Sequence, residues 1–367
     1  MTGSIYIHIP FCQCRCSYCD FYSTTLLNKR DEYVNAICQE LQLRKSYLPT
    51  TKIGTIYLGG GTPSVLTIQQ LQQLFACIEQ FYDLSELTEC TIECNPDDIN
   101  DTYLAGLKTL PINRISMGVQ SFNDAELQLM NRRHTAQQAI DAVHKIVRAG
   151  YTNCSIDLIY GLPNQTIEIW KNTLTTALSL PITHLSAYHL TYEKGTPMYQ
   201  QQKHAVSEEN SLLFFETLHQ YTQQAGMEAY EISNFALPNC RSQHNSRYWK
   251  NIPYLGIGAG AHSYNGTERS WNIACLTAYM EGVESGKLVV ETELLSDDDK
   301  YNELILTSLR TKEGIEQNKI PASYLPHFQR QCKKYIQGGL LEQNATHTYL
   351  THQGIFVSDG IICDLMV

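Results

Sequence analysis

Four cysteines fall within eight residues, in the run Cys12-Gln13-Cys14-Arg15-Cys16-Ser17-Tyr18-Cys19. Free cysteine mostly behaves as a small buried hydrophobe, but thiols this dense in one short loop point to metal rather than packing. Cys12, Cys16 and Cys19 have the spacing Cys-x3-Cys-x2-Cys, which supplies three thiolates to one iron–sulfur cluster. The usual cubane takes four cysteines, so three would leave one iron open to a further ligand. Zinc is the rival. A structural zinc site wants four closed ligands, commonly two separated Cys-x2-Cys pairs. No second pair occurs, although Cys14 or His8 could complete a set, and the spacing alone leaves both readings open. Cys14 is left out of the ligand set.

The other cysteines read differently. The chain holds 13, an odd count unlike the even framework of a short exported protein. Cys38, Cys77, Cys154 and Cys275 sit among apolar or helical neighbours and read as isolated buried thiols. The N-terminus lacks a basic stretch followed by an apolar core, and no apolar run approaches the ~18 residues of a membrane span. These features predict a cytoplasmic protein. Hydrophobic residues at 43% and charged residues at 17% suit a globular enzyme-like chain rather than disorder. A net charge of −10, from 27 Lys and Arg against 37 Asp and Glu, argues against a nucleic-acid partner.

The elements that must position the cysteines come next. Short strand-like runs at Ser4–Ile9, Thr55–Leu58, Thr91–Cys94, Arg114–Val119, Ser155–Tyr160 and His184–His189 alternate with amphipathic stretches such as Lys29–Tyr47 and Thr67–Tyr82. Thr67, Asn100, Asn123 and Thr135 are candidate N-caps. Six strands each followed by a helix predict an α/β fold, a partial (β/α)6 barrel. The unusual residues cluster at or just after strand ends: Cys12–Cys19, Gly59-Gly60-Gly61-Thr62-Pro63, Glu93 with Asn95-Pro96, Gln120, Gly161-Leu162-Pro163 and Thr191. In parallel barrels the C-terminal strand edge carries the site, because the βα loops converge there.

Composition divides the chain into 1–237, the partial barrel; 238–290, a Gly-, Asn-, Tyr- and Trp-rich connecting segment; and 291–367, helices followed by a small hairpin resembling a winged helix. That last α+β module carries 7 Lys and Arg against 11 Asp and Glu, which fits packing against the barrel better than DNA reading. The run Gly256-Ile257-Gly258-Ala259-Gly260 lacks the glycine spacing and following acid of a dinucleotide site.

The cysteine loop, with Tyr6 six residues before its first cysteine, resembles that of radical-SAM enzymes. Tyr6-Ile-His-Ile-Pro-Phe-Cys12, Gly59–Pro63, Gly118-Val-Gln120-Ser-Phe122 and Ile156-Asp157-Leu-Ile-Tyr-Gly-Leu-Pro163 resemble the branch that includes oxygen-independent coproporphyrinogen III oxidase. The chain departs from the oxidase pattern two positions after Cys19, where Phe21 replaces a further cysteine. His244-Asn-Ser-Arg-Tyr248-Trp249 fits the His-Asn-x-x-Tyr-Trp pattern of HemW-type heme chaperones, and both features favour that family.

The resemblance implies a 4Fe–4S cluster on Cys12, Cys16 and Cys19, with S-adenosylmethionine at its open iron. It assigns cofactor contacts to Tyr6, Gly60, Gly61, Thr62, Glu93, Gln120, Arg132, Asp157 and Thr191. Glu93 would pair the amine, Arg132 the carboxylate and Asp157 the ribose hydroxyls, while Arg133 beside Arg132 could fill the same role. Heme is the expected cargo, with His244 as axial ligand and Tyr248 and Trp249 walling the macrocycle. His244 could equally be a structural residue capping a turn. The expected partners are recipient hemoproteins and an electron donor; any membrane contact would run through those targets. The alternative function is a radical enzyme acting on a porphyrin-like substrate.

Overall fold

A computed structural model describes residues 2–367. Its first half is a regular alternation: β1 Gly3–Ile9, α1 Arg30–Leu43, β2 Ile53–Gly60, α2 Ile68–Phe81, β3 Glu89–Cys94, α3 Asp101–Leu107 and β4 Arg114–Gln120. There follow α4 Asp124–Leu129, α5 Ala136–Arg148, β5 Asn153–Tyr160, α6 Ile167–Ser179, β6 His184–His189 and α7 Glu208–Gln224. Strands β1 to β6 pair parallel in sequence order. The expected strands are all present, some longer by a residue or two at an end.

All four predicted caps cap. Thr67 and Thr135 form capping boxes with Gln70 and Gln138, and the Asn100 and Asn123 side chains accept from backbone N–H groups of the first turn. The expected Lys29–Tyr47 helix is shorter, running Arg30–Leu43.

Period-two alternation explains the layering. Ile5, Ile7 and Ile9 on β1, Ile56 and Leu58 on β2, and Ile115, Met117 and Val119 on β4 are buried in the main core. Their alternating neighbours are Tyr6 and His8, Thr55 and Tyr57, and Arg114 and Ser116. A fully buried parallel sheet usually reads apolar on both faces. Here one face carries the core under the helices, and the other lines a polar lumen.

The segment 238–290 does not stand apart from this sheet. After the short strands β7 Glu228–Ala229 and β8 Asn234–Ala236 and the helix α8 Gln243–Trp249, strand β9 Tyr254–Ile257 pairs parallel with β1. Strands β10 His262–Tyr264 and β11 Glu268–Asn272, helix α9 Leu276–Glu284 and strand β12 Val290–Leu294 continue from there. The result is a 12-stranded open sheet in the order β12-β11-β10-β9-β1-β2-β3-β4-β5-β6-β8-β7. The 256–260 glycine run is the turn out of β9: a Cβ on Gly256 would meet the His262 carbonyl oxygen, and Gly258 has φ +105°.

The C-terminal module has its own apolar cluster around Tyr301, Ile305, Phe328 and Leu365. It runs α10 Asp297–Leu309, β13 Ile315–Glu316, α11 Leu325–Gln337, β14 Leu341–Gln343 and β15 His347–Leu350, then α12 His352–Phe356 and α13 Ser358–Leu365. Its three strands form an antiparallel sheet. The two closing helices carry the chain beyond the winged-helix pattern, and Tyr301 donates to the Leu365 carbonyl.

The cysteine expectations need correction. Cys154 is buried, but Cys275 is exposed, and Cys38 and Cys77 are half-buried. Cys38 and Cys77 lie against each other where α1 packs on α2, because each stands at the edge of its helix's buried face.

Candidate functional site

The loop after β1 is tied at several points. Thr24 N–H donates to the Pro10 carbonyl (2.7 Å) and Cys12 N–H to that of Thr24 (2.9 Å), which closes the loop's base. Its far side is held by the α4–α5 connection. Ser17 N–H reaches Met130 O (3.1 Å), Ser17 Oγ reaches Leu129 O (2.8 Å), and Asn131 Nδ2 donates to Arg15 O (2.8 Å). Asn131 has φ +57°, a left-handed conformation that asparagine tolerates better than most residues.

The loop roofs a cavity of about 500 Å³, within the usual range for a small-molecule site. Cys12, Cys16, Cys19, Gly60, Gly61, Thr62, Glu93, Gln120, Arg132, Asp157 and Thr191 all line it. Cys14 also faces it, its Sγ 3.8 Å from the Asn131 carbonyl. Tyr6 lies outside the lining, one step down the lumen, its hydroxyl 3.0 Å from His8 Nδ1.

Among the described residues, no three His, Cys, Asp or Glu side chains converge on a single-ion site. Three thiols lining one cavity suit the ligand set of an iron–sulfur cluster, which takes a separate thiolate on each of its irons. Burial raises the Cys12 thiol and pushes that of Cys19 up to about 11. The Thr62 hydroxyl donates to Cys12 Sγ (3.5 Å), and Arg132 Nη1 donates to Cys16 Sγ (3.2 Å).

Arg132 and Arg133, interchangeable in sequence, are separated by the fold. Arg132 turns inward, with Nη2 donating to Asn95 Oδ1 (2.7 Å) and to the Gly118 carbonyl, while its buried Nε has no partner among the described residues. Arg133 also lines the cavity, but it is more exposed and its guanidinium is taken up by Asp97, Asp98 and Gln13. The buried, unpartnered Nε beside the thiols suits a ligand carboxylate.

Two carboxyls face the same space. Tyr57 Oη donates to Glu93 Oε1 (2.7 Å) and Gly60 N–H to Oε2 (3.1 Å). Desolvation still pushes Glu93 up to about 7, and Asp157, with Ser116 Oγ 3.5 Å away, up to about 6. A cation or hydroxyl-rich ligand would compensate both. Gly60 has φ +112°, and a Cβ on Gly61 would strike the Pro10 and Phe11 backbone at 2.8–2.9 Å. These glycines therefore let β2 close against the end of β1, a packing role that the sequence reading did not give them. Gln120 is held at φ +70°, a strained conformation aimed at the cavity.

The His-Asn-x-x-Tyr-Trp residues lie elsewhere. Helix α8 closes the floor of the lumen, at the opposite strand ends. His244 is 1% exposed. Its Nδ1 pairs with Thr55 Oγ1 (2.9 Å), its Nε2 pairs with Tyr248 Oη (2.8 Å), and its ring lies on Tyr57. Burial drives its pKa down to about 3, so it is neutral. Both ring nitrogens are thus occupied within the protein, which favours the structural alternative for His244, and iron would have to displace Thr55 or Tyr248. Tyr248 and Trp249 do not wall an open pocket either, since Tyr248 packs edge-on to Tyr254 and Trp249 carries the Arg310 guanidinium. Glu89 accepts the N–H groups of Gln243 (2.8 Å) and His244 (2.9 Å) at the helix start, and Arg247 holds the carbonyls of Thr2 and Gly3.

Sequence reasoning gave no role to Asn95, which accepts from Arg132, or to Asn131, which braces the cysteine loop. Only Asn95 had a signal, standing beside Pro96 at a strand end.

Comparison with known proteins agrees with this geometry. Residues 6–177 match the radical SAM superfamily and residues 295–357 the HemN C-terminal domain. The chain is 35% identical to the heme chaperone HemW of Lactococcus lactis, over 98% of this chain and 96% of that protein. It is also 35% identical to HemW of Bacillus subtilis, over 98% and 97%. The solved structure of Escherichia coli coproporphyrinogen III oxidase (HemN), a radical SAM enzyme, superposes with a TM-score of 0.88 at 24% identity, covering 100% of this chain and 90% of that one. That likeness speaks to fold. With its cysteine loop, its lumen and its full-length relatives, the chain belongs to the HemW family of radical-SAM proteins.

Proposed function

We propose that this protein is a heme chaperone that binds heme and delivers it to recipient hemoproteins, carrying a 4Fe–4S cluster on Cys12, Cys16 and Cys19 and S-adenosylmethionine in the adjoining cavity. The observation that carries this reading is full-length kinship to HemW chaperones together with a cavity lined by all three thiols and all but one of the expected cofactor contacts. Bound cluster and cofactor would supply an electron source and an open iron. The chain's own residues do the rest. Arg132 braces Cys16 and offers its free Nε to a carboxylate; Glu93 offers a carboxylate to an amine; Asp157 faces the position of a ribose. Thr62 steadies Cys12, and Gly60 and Gly61 keep the β1 and β2 loops closed over them.

We assign 1–237 to the cofactor-binding unit and 291–367 to a packed accessory module. The segment 238–290 is assigned to closing the lumen floor and extending the sheet. The reading includes an electron donor for the cluster and a cytoplasmic location; none of the described helices is long and apolar enough to cross a membrane.

The test is anaerobic reconstitution followed by a heme titration and a coproporphyrinogen turnover assay. Stoichiometric heme uptake, transfer to an apo-hemoprotein and no decarboxylation are expected. Robust protoporphyrinogen formation would overturn the chaperone reading in favour of an oxidase.

A further inference from the structure

Arg114 is among the largest fully buried side chains in the protein, at 1% exposure. It stands on the lumen face of β4, in register with Thr91 on β3 and Asn153 on β5. Its Nε and Nη1, Thr91 Oγ1 and Asn153 Oδ1 are all buried without a hydrogen-bond partner among the described residues. Three adjacent strands thus present one row of unsatisfied polar atoms, crossed by a full positive charge.

A buried guanidinium left like this costs stability. An arginine kept for structure would be paired, as Arg44 is with Glu40, the Gly256 carbonyl and Ser270. Two residues along β4 from Arg114, Ser116 reaches Asp157, and Glu93 stands two residues along β3 from Thr91. The charge of Arg114 favours the anionic form of both carboxyls.

We propose that Arg114 is a positioning residue for S-adenosylmethionine: from beneath the cavity its charge opposes the burial that drives Glu93 and Asp157 toward their neutral forms, leaving more of each carboxyl anionic to meet the cofactor's amine and ribose. This rests on the cofactor assignment made above. The groups that bear on Glu93 include Tyr6, Tyr57, Cys94, Arg114, Asp157, Tyr188 and Tyr248, with Gly60 N–H. Arg132 also bears on Asp157. Arg114 is the cation named among these groups.

The test compares the reconstituted wild type with Arg114→Met, Arg114→Gln and Arg114→Lys, using labelled S-adenosylmethionine in equilibrium dialysis from pH 6.5 to 9. Removing the charge should weaken binding about fivefold or more near pH 7, as a rise of one unit in the Glu93 pKa would. The loss should shrink toward pH 9, and Arg114→Lys should keep the wild-type profile. The cluster-free Met and Gln variants should melt at or above the wild-type temperature. Wild-type affinity in the Met and Gln variants at pH 7 overturns the inference while leaving the cofactor assignment intact. A pH-independent loss with a lowered Tm also overturns it, making Arg114 structural. If the wild type itself binds no S-adenosylmethionine, the assignment fails and this inference with it.

Discussion

The two ends of the lumen use the same kinds of residue to opposite effect. At the rim, Arg132 keeps a free Nε, Glu93 and Asp157 are pushed toward neutrality, and Gln120 is strained. At the floor, His244 spends both nitrogens within the protein, and Glu89 takes up N–H groups of the first turn of α8. An unpartnered nitrogen beside the thiols suits an incoming ligand, whereas the paired His244 and Glu89 hold the fold. Composition alone would not separate the two ends.

The contrast is sharpest in four experiments. The largest effect belongs to the rim: Cys12→Ser, Cys16→Ser or Cys19→Ser should each abolish iron–sulfur absorbance after reconstitution, whereas Cys14→Ser should retain it. A cluster that survives loss of Cys16 but not of Cys14 would redraw the ligand set.

Next is the floor. His244→Ala should lower stability by about 2–4 kcal/mol, through a cavity and two orphaned partners, while the heme Soret spectrum stays unchanged. A lost or shifted Soret band at undiminished stability would restore His244 as a heme ligand.

Third, Glu93→Gln should weaken S-adenosylmethionine binding while raising the Tm of the cluster-free protein above pH 7, because a buried charge is removed without loss of shape. A fall in both would place Glu93 with the floor.

The smallest effect is the pH response of the cluster-free protein, read as Tm against pH. Glu93 and Asp157 have folded pKa values raised from 4.5 to about 7 and from 3.8 to about 6. Their contribution is fully present at low pH and fades as pH rises through those values. His244, lowered from 6.5 to about 3, runs the other way: its contribution is present above pH 6.5 and fades as pH falls. Glu93→Gln should therefore remove its share of the loss between pH 5 and 7, and His244→Ala its share of the loss below 6.5. The same curve for both variants would dissolve the distinction.

The fold was largely legible because its signals are local. Alternation within β1, caps such as Thr67-x-x-Gln70, and the Cys-x3-Cys-x2-Cys spacing each span a few residues. The rim was legible for the same reason: its residues mark strand ends. The floor was not. The fate of His244 depends on Thr55, 189 residues away, and a motif that could ligate iron reads the same when it plugs a lumen. Arg132 and Arg133 were indistinguishable for a similar reason, since distant partners (Asn95 and Cys16 for one, Asp97 and Asp98 for the other) decide which keeps a free nitrogen. The polar face of the sheet was visible in sequence as Ser, Tyr and His between the isoleucines of β1, but parallel strands are ordinarily expected to be apolar on both faces.

Strand β9 covers the second edge of β1, yet it lies some 250 residues downstream. As the chain leaves the ribosome, β1 can pair with β2 early, but the N–H and C=O groups of its other edge stay open until most of the protein has been made. The Arg247 clasp on Thr2 and Gly3 arrives equally late. Closure of this sheet is therefore a late event in synthesis, and truncation before about residue 257 would leave the cysteine loop attached to an unprotected strand, prone to intermolecular pairing.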